Sequence, residues 1–305
     1  MNLERKAILI TRRTRYEELV AQYNTESQAA FVIQSRGQDF NDYKIEDQIY
    51  KKAIQQVELS LSEKLRVQRL DRDFLSNFLF AEDDIIVVVG QDGLVANTLK
   101  YLNGQPVLAI NPDPQRFDGV LLPFEVKDTS LIVNDVLSDN YQSKAITMAK
   151  ATLNDGQVIT AVNDIYIGPK LPTSARYEIE YNGKKEVQSS SGIIISTGLG
   201  STGWLSSIVR GAEQIAGVRS KTDASFAWDD QRLKFAVREP FPSATTGTDI
   251  VYGDINQNQP LIVSSMMAGG GVVFSDGVFD DFIAFNSGAS VSVNKSDTYG
   301  CLVFQ

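Results

Sequence analysis

Residues 83–93 read DDIIVVVGQDG, and this stretch decides the fold. The run Ile85–Val89 is β-branched without a break, which is typical of a strand that is covered on both faces. A glycine-containing turn, Gly90–Gly93, follows it directly, and the next residues, Leu94–Tyr101, have a helical pattern. A buried strand that leads through such a turn into a helix predicts one repeat of a parallel α/β sheet.

The same pattern extends to both sides of this stretch. Lys6–Thr11, Leu65–Leu70 and Pro106–Ile110 are further predicted strands, and Asp73–Phe80 is a predicted short helix. A longer helix is predicted from apolar residues that recur at every fourth position, namely Ile45, Ile49, Ala53, Val57 and Leu61. We therefore expect an α/β domain with a parallel sheet and right-handed crossovers over residues 1–141.

The second half of the chain has strand patterns that follow one another without helices between them. Asn182-Gly183 is the residue pair that best fits a tight hairpin, and one helix is expected at about Gly203–Ile215. We expect a β-rich, sandwich-like domain over residues 142–305, in which the final run, Tyr299–Phe304, forms an extra strand or packs against the first domain. The predicted strands are Val158–Ile167, Ala175–Tyr181, Lys185–Gln188, Gly192–Ser196, Arg232–Arg238, Gln259–Ser264, Gly271–Ser275, Val278–Ala284 and Ala289–Val293.

Composition excludes several classes of protein. The 305 residues exceed an average domain, so two domains are expected. The 38 acidic and 29 basic residues give a net charge of -9, which disfavours nucleic acid and anionic membranes as partners. The apolar runs are too short for a transmembrane helix, and the run near the start is too short for a signal peptide. Because the single Cys301 cannot form an internal disulfide, we expect a cytoplasmic protein.

The chain contains no histidine. Ser-His-Asp and Cys-His catalysis, His-rich zinc sites and two-His iron sites are therefore excluded. Acid-base chemistry near neutral pH must be carried out by Asp, Glu, Lys or Tyr.

The first candidate site is the turn Gly90-Gln91-Asp92-Gly93. In open α/β sheets, ligands bind at the carboxyl ends of the strands, where glycines and a helix N-terminus suit a phosphate. A carboxylate repels phosphate, so Asp92 fits a base that takes a proton from an attacking hydroxyl. The alternative is an ordinary strand-to-helix turn, in which Asp-Gly is common.

The second candidate is Thr197-Gly198-Leu199-Gly200-Ser201-Thr202-Gly203, which contains a G-x-G-x-x-G pattern. Hairpins rather than a βαβ unit precede it, which disfavours a hydride-transferring Rossmann enzyme, and no lysine follows as in a P-loop. Its glycines, hydroxyls and helix start suit phosphate or ribose binding. The alternative is a flexible, capped start of a helix.

Three further features are weaker. Asn163-Asp164 is an amide next to a carboxylate, which could hold the two hydroxyls of a ribose or could mark a bulge in a strand. Ser275-Asp276-Gly277 fits a hairpin turn. Trp204 could cover a ligand or belong to the core.

Taken together and in this order, these motifs resemble the NAD kinase family, which belongs to a superfamily with diacylglycerol, sphingosine and phosphofructokinases. The resemblance covers nearly the whole chain. It is nearest to the mitochondrial-type branch, on the segments Thr14-Arg15-Tyr16-Glu17, Asn111-Pro112-Asp113-Pro114-Gln115-Arg116, Asn163-Asp164-Ile165-Tyr166-Ile167-Gly168, Ser190-Ser191-Gly192 and Arg238-Glu239-Pro240.

The resemblance implies transfer of phosphate from ATP, with Mg²⁺, to the 2′-hydroxyl of the adenosine ribose of NAD, in a site enclosed by the two domains. Asp92 matches the acidic residue that activates this hydroxyl, and the remaining matches divide into two groups. Phosphate binding is expected at Gly90, Gln91, Gly93, Thr197, Gly198, Gly200 and Ser201. Contact with NAD is expected at Asn163, Asp164, Thr202, Gly203, Trp204 and Ser207. Mg²⁺ would be held through substrate phosphates and water. Relatives are commonly dimers or tetramers, so a homo-oligomer is expected.

This sequence departs from the family pattern at three positions. Gln91 replaces the second glycine, Leu94 replaces a threonine, and Ser191 replaces an acidic residue, the last as in the mitochondrial-type branch. Two other functions therefore stay open. One is a superfamily kinase that acts on another hydroxyl, of a sugar or a nucleoside, and the other is a non-catalytic sensor of NAD or ATP.

Overall fold

A computed structural model describes residues 5–218 and 224–304, which form two compact units. The first unit runs to Lys144 and takes in the chain again from Cys301, and the second is Ala145–Gly300. The elements of the first unit are β1 (Lys6–Thr11), α1 (Arg15–Tyr23), α2 (Glu26–Ser35), α3 (Phe40–Ser62), β2 (Arg66–Asp71), β3 (Ile85–Val89), α4 (Asp92–Leu99), β4 (Pro106–Asn111), β5 (Phe124–Glu125) and α5 (Thr129–Leu137).

The elements that follow belong mainly to the second unit, although β6 begins in the first unit and β17 ends in it. They are β6 (Gln142–Leu153), β7 (Val158–Ala161), β8 (Asp164–Pro169), β9 (Ala175–Tyr181), β10 (Lys184–Ser190), β11 (Ile193–Ser196), α6 (Trp204–Ala216), β12 (Leu233–Val237), β13 (Tyr252–Ile255), β14 (Leu261–Ser265), β15 (Gly271–Ser275), β16 (Val278–Ala284) and β17 (Ser290–Phe304).

The first unit has the expected parallel sheet, in the order β2-β1-β3-β4. The central strand β3 is buried along its whole length, as its unbroken β-branched run predicts. The far side of β4 pairs in parallel with β5 and, at Cys301 and Leu302, with the end of β17. Because β1 connects to β2 on one side and β3 to β4 on the other, the order reverses between β1 and β3, and ligands bind beside such a reversal in open α/β sheets.

The long helix α3 shows a different buried face from the one predicted. Ala53, Val57 and Leu61 are buried, but Ile45 is 43% exposed and Ile49 is 37% exposed. A spacing of four residues drifts by about 40° around a helix at each step, so a stripe of five such positions cannot stay on one face. In the first half of α3, Tyr50 and two acidic residues, Glu46 and Asp47, are buried instead.

Other predicted elements of the first unit also need correction. The helix expected at Asp73–Phe80 is a 3₁₀ helix, Arg72–Asn77. The helices α1, α2 and α5 were not predicted from the apolar pattern. The first two are short and begin at threonine caps, Thr14 and Thr25, whose hydroxyls accept backbone N–H groups.

The second unit is a sandwich of two sheets, as expected. One sheet has the order β10-β9-β14-β17-β6-β7 and the other β13-β12-β11-β8-β15-β16. Alternate residues of facing strands form a common core, for example Tyr177 and Val263 from the first sheet with Ile195 and Phe235 from the second. Among the helices of the described residues, none is long and apolar enough to cross a membrane.

The limits of several strands in this unit differ from the predicted ones. The run Val158–Ile167 is two strands, β7 and β8, because the chain leaves the sheet at Val162 and Asn163. Ala289–Val293 and Tyr299–Phe304 belong to one long strand, β17. Gln142, near which the domain boundary was predicted, is the first residue of an unpredicted strand, β6.

Candidate functional site

The turn after β3 places Asp92 at the first residue of α4, at the carboxyl end of the central strand. Its carboxylate is not involved in any of the ion pairs found among the described residues, and it accepts two backbone hydrogen bonds. The N–H of Val120 donates to Oδ2 at 3.1 Å, and the N–H of Leu121 donates to Oδ1 at 2.9 Å. Because a carboxylate has about four acceptor positions, each oxygen keeps capacity for another proton donor. The side chain is thus fixed and still able to act as a base.

The loop that holds Asp92 is itself ordered by β4. The side chain of Asn111 donates from Nδ2 to the carbonyl of Phe117 at 2.9 Å and accepts the N–H of Asp113 at 3.0 Å. Gly119 has φ 65° and leaves no room for a Cβ next to Asn111 and Leu122. A left-handed glycine is therefore required just before the two N–H donors.

The residues that flank Asp92 differ in their surroundings. A Cβ on Gly93 would meet nothing within 4 Å, so the backbone of the first turn of α4 is open to a ligand. A Cβ on Gly90 would lie 2.7 Å from Cδ2 of Leu94. Leu94 itself is only 3% exposed, so its side chain is part of the core. Gln91 is extended, with φ -117°, and precedes the helix as its N-cap.

The end of β1 is tied to the end of β3 by Tyr50 of α3, which sequence reasoning did not single out. Its hydroxyl donates to the carbonyl of Val89 at 2.8 Å and accepts the N–H of Arg12 at 3.0 Å. Burial raises the pKa of Tyr50 to about 12. The phenol therefore stays protonated and keeps both bonds at the carboxyl edge of the sheet.

A network of ion pairs lies beside this edge. Arg12 and Arg15 both bond to Glu46, and Arg116 forms a two-pronged ion pair with Asp42 at 2.7 and 2.8 Å. The Asp42 hydrogen bond raises the pKa of the Arg116 guanidinium, and the same contact lowers the pKa of Asp42. The network connects α3 with the loops after β1 and β4.

In the second unit, Asn163 lies in the short connection between β7 and β8, and Asp164 is the first residue of β8. The carboxylate of Asp276, in the turn between β15 and β16, accepts the N–H groups of Val162, Asn163 and Asp164. On the other side, the N–H of Thr197 donates to the carbonyl of Asn163 at 2.9 Å. The predicted Ser275-Asp276-Gly277 hairpin is confirmed, but its acidic residue does more than form a turn.

Asp164 has an unusual environment for a carboxylate. Its Oδ1 is buried and has no hydrogen-bond partner among the described residues. Burial raises the pKa of Asp164 from 3.8 to about 7. A hydrogen bond with Ser196 opposes the rise, and the nearby Asp276 carboxylate adds to it. Near neutral pH, Asp164 therefore exists in both its neutral and its ionised form.

The segment Thr197–Ser201 is buried, and its polar groups are used internally. The hydroxyl of Thr197 donates to the carbonyl of Val162, and that of Ser201 donates to the carbonyl of Gly198. A Cβ on Gly198 would overlap the carbonyl of Ala227, and one on Gly200 would overlap the carbonyl of Asn163. These glycines are needed for close packing of backbone against backbone, a different need from the phosphate binding predicted for them.

The residues after this segment are more accessible. Thr202, Gly203 and Ser207 are exposed, and the hydroxyl of Ser207 donates to the carbonyl of Gly203 at 3.1 Å. Trp204 stacks in parallel on Tyr166, with ring centroids 5.8 Å apart, and the guanidinium of Arg238 lies 5.5 Å from its ring centre. Trp204 is therefore held by an aromatic ring and a cation.

The described residues contain no group of three or more Asp, Glu, Cys or His side chains that could hold a metal ion. A protein-built metal cage is thus not found in residues 5–218 or 224–304.

Comparison with solved structures confirms the fold. An NAD kinase from Archaeoglobus fulgidus, in complex with ATP, matches with a TM-score of 0.57 and 16% sequence identity, over 98% of this chain and 93% of that chain. Yeast NADH kinase, complexed with NADH, matches with a TM-score of 0.57 and 14% identity, over 100% of this chain and 84% of that chain. No family model and no curated protein matches the sequence. The chain has the fold of the NAD kinases, and the mitochondrial-type branch stays a prediction.

Proposed function

We propose that this protein is an ATP-dependent NAD kinase, which phosphorylates the 2′-hydroxyl of the adenosine ribose of NAD and forms NADP. The observation that carries the proposal is Asp92, fixed by two backbone N–H groups at the carboxyl end of β3, in a chain with the fold of NAD kinases over nearly its whole length. The ligands of the two solved structures, ATP and NADH, support the same substrate class.

Asp92 is the proposed base. Its carboxylate takes the proton of the ribose hydroxyl, the hydroxyl oxygen bonds to the terminal phosphorus of ATP, and ADP leaves with the electrons of the broken P–O bond. The bonds from Val120 and Leu121 keep the carboxylate in one orientation while each oxygen retains an acceptor position. Without histidine in the chain, a carboxylate is the natural base for this step.

Phosphate binding is proposed at the first turn of α4. Gly93 is exposed with open space around its Cα, and unpaired N–H groups at a helix start attract anions. Gly90 and Gln91 complete this turn. Thr197, Gly198, Gly200 and Ser201 stay predicted phosphate ligands from the sequence, but their packing supports a structural role. Mg²⁺ would shield the charge of the phosphates, and we name no protein ligand for it.

Contact with the acceptor NAD is proposed for the second unit. Asn163 offers an amide and Asp164 a carboxyl group, a pair suited to adjacent hydroxyls of a ribose. Thr202, Gly203 and Ser207 are exposed at the start of α6, beside Trp204, and are the proposed lining of the dinucleotide site. The proposal also includes assembly into a homodimer or homotetramer. It further includes a location in the cytoplasm, in keeping with a single cysteine that is free and buried.

A coupled assay for NADP tests the proposal. Wild type should form NADP from NAD and ATP, and Asp92→Asn should lower kcat by roughly a thousandfold or more, since it removes the base. Asp83→Asn is the matched control, because Asp83 is an exposed carboxylate just before the other end of the same strand.

The other two functions are distinguished by calorimetry of NAD binding and by a measurement of ADP release. Binding of NAD by calorimetry without any product from wild type would contradict catalysis and favour a sensor. ADP release only when a sugar or a nucleoside replaces NAD would indicate a superfamily kinase for another hydroxyl.

A further inference from the structure

The hairpin turn between β15 and β16 is hydrogen-bonded to residues 162–164, where the chain passes from β7 to β8. Asp276 has a left-handed backbone, with φ 54°, and its N–H donates to the carbonyl of Asp164 at 2.9 Å. This geometry turns the carboxylate of Asp276 back along the Val162–Asp164 segment. The two sites are more than a hundred residues apart in sequence.

The carboxylate accepts three consecutive backbone N–H groups. Oδ1 lies 2.6 Å from the nitrogen of Asn163 and 3.2 Å from that of Asp164, and Oδ2 lies 3.0 Å from that of Val162. Where the chain leaves the sheet between β7 and β8, these groups lose the regular ladder, and an unpaired buried N–H costs free energy. Asp276 replaces the missing ladder with charge-assisted bonds, which are the stronger kind.

The carbonyl side of the same segment is held by another element. Thr197 donates its N–H to the carbonyl of Asn163 and its hydroxyl to the carbonyl of Val162. The segment is therefore bonded on both edges. This arrangement restricts the backbone conformation. It therefore fixes the positions of the Cα atoms from which the side chains of Asn163 and Asp164 extend.

We infer that Asp276 is a positioning residue for the acceptor nucleotide, which it serves by fixing the backbone that presents Asn163 and Asp164. The inference rests on the proposed function, since it takes these two residues to contact NAD. Asp276 also acts on Asp164 through its charge: it is the charged group that shifts the ionisation of Asp164, whereas the polar contact from β11 is the uncharged Ser196.

Asp276→Ala is the direct test, with steady-state kinetics and calorimetry of NAD binding. The expected result is a rise of roughly tenfold or more in KM and Kd for NAD, with KM for ATP unchanged and kcat within about threefold. A merely structural role would reduce the active fraction and lower kcat, without this split between the two substrates. Asp155→Ala is the matched control, because Asp155 also accepts a backbone N–H in a hairpin turn, but within its own turn.

Asp276→Asn separates geometry from charge. Its carbonyl oxygen can still accept the N–H groups of Asn163 and Asp164, so part of the NAD affinity should return. Because Asp164 is proposed to contact NAD, its ionisation should make NAD binding depend on pH. Loss of the Asp276 charge should lower the pKa of Asp164, so the midpoint of this dependence should move to lower pH than in wild type.

The outcomes are distinct. A folded Asp276→Ala variant with wild-type Kd and KM for NAD would overturn the inference and leave the proposed function intact. If that variant does not fold, unchanged NAD binding and an unchanged pH midpoint in Asp276→Asn would overturn it. Failure of wild type to bind NAD would refute the proposed function itself, and the inference with it.

Discussion

The N–H of Leu121 donates a hydrogen bond to Oδ1 of Asp92 across 2.9 Å, and this bond ties the candidate base to the loop after the neighbouring strand β4. Together with the bond from Val120, it holds the carboxylate by backbone groups, which cannot be lost by substitution of a side chain. A base held in this way needs little reorganisation when a hydroxyl arrives, which is the condition for efficient proton transfer.

The first prediction concerns the contribution of these two hydrogen bonds to stability. Asp92→Ala should lower the free energy of unfolding by about 1–3 kcal/mol, because the N–H groups of Val120 and Leu121 lose their acceptor. Asp92→Asn should cost less, since its carbonyl oxygen retains one bond. Urea unfolding of both variants checks this order. Equal stability of wild type and Asp92→Ala would mean that the loop is held without Asp92.

The second prediction is that a threonine at position 94, as in the NAD kinase pattern, does not supply a hydroxyl that can reach a ligand. Leu94 is buried, and its Cδ2 occupies the space that a Cβ on Gly90 would need. Leu94→Thr should therefore lower the free energy of unfolding by about 2 kcal/mol, through lost apolar contact and a buried hydroxyl.

Leu94→Met is the control for this substitution, because it keeps the volume and should cost less than about 1.5 kcal/mol. Thermal unfolding measures both variants. A Leu94→Thr protein as stable as wild type, with a lower KM for ATP, would place residue 94 at the phosphates instead of in the core.

The third prediction concerns the two glycines of Thr197–Gly203 that sequence reasoning assigned to phosphate. Gly198→Ala should cost about 3 kcal/mol or more, because its Cβ would overlap the backbone of Ala227. Gly211→Ala, in the exposed middle of α6 with open space around it, should stabilise the protein by up to about 1 kcal/mol. Chemical denaturation compares them. A Gly198→Ala protein that is as stable as wild type but has lost affinity for ATP would support the predicted role of Gly198 in phosphate binding.

The fourth prediction concerns Gly93, where the structure has room for a side chain. Gly93→Ala should leave the stability unchanged or slightly higher, since a Cβ there meets nothing within 4 Å. Under the proposed function, the added methyl group stands where the phosphates approach the start of α4, so KM for ATP should rise roughly tenfold and KM for NAD should not change. Equal KM values for ATP in the two proteins would contradict phosphate binding at this turn.

Much of the fold was predictable because the strands carry strong local patterns. Lys6–Thr11, Ala175–Tyr181, Gly271–Ser275 and Val278–Ala284 match the predicted limits residue for residue. Lys6–Thr11 and Gly271–Ser275 are mainly apolar, and Ala175–Tyr181 alternates between apolar and charged residues. Val278–Ala284 contains two adjacent aspartates, and its start is set by the preceding hairpin turn. The start of β6 was missed because its first residues, Gln142, Ser143 and Lys144, are polar and exposed, and only pairing with other strands makes them part of a sheet.

The site was predictable only where its residues are local in sequence. Asp92 follows from a strand, a turn and a helix that are adjacent along the chain. The role of Asp276 does not, because its three bonds join residues 112 to 114 positions apart and Ser-Asp-Gly is a common turn. The role of Tyr50 could not be predicted either, since its partners, Arg12 after β1 and Val89 at the end of β3, are distant in sequence. Such contacts depend on tertiary structure.

The fifth prediction concerns pH and Asp164, whose pKa in the folded protein is about 7, against an ordinary value of 3.8. A raised carboxyl pKa means that the folded state binds its proton more tightly than the unfolded state does, so stability falls as pH rises from about 4 to 7 and is level above that. Asp164→Asn removes this contribution. Its stability relative to wild type should therefore increase over this range by about 2–4 kcal/mol, at roughly 1.4 kcal/mol per pKa unit.

Urea unfolding at pH 4, 5, 6, 7 and 8 measures this difference without interference from imidazole groups, because the chain has no histidine. Ser196→Ala is the companion variant: its hydrogen bond opposes the rise in the pKa of Asp164, so its loss should move the upper end of the transition to higher pH. Parallel stability curves for wild type and Asp164→Asn across this range would mean that the pKa of Asp164 is not raised on folding. The proposed acceptor site would then carry a fixed negative charge near neutral pH, instead of a proton that is exchanged there.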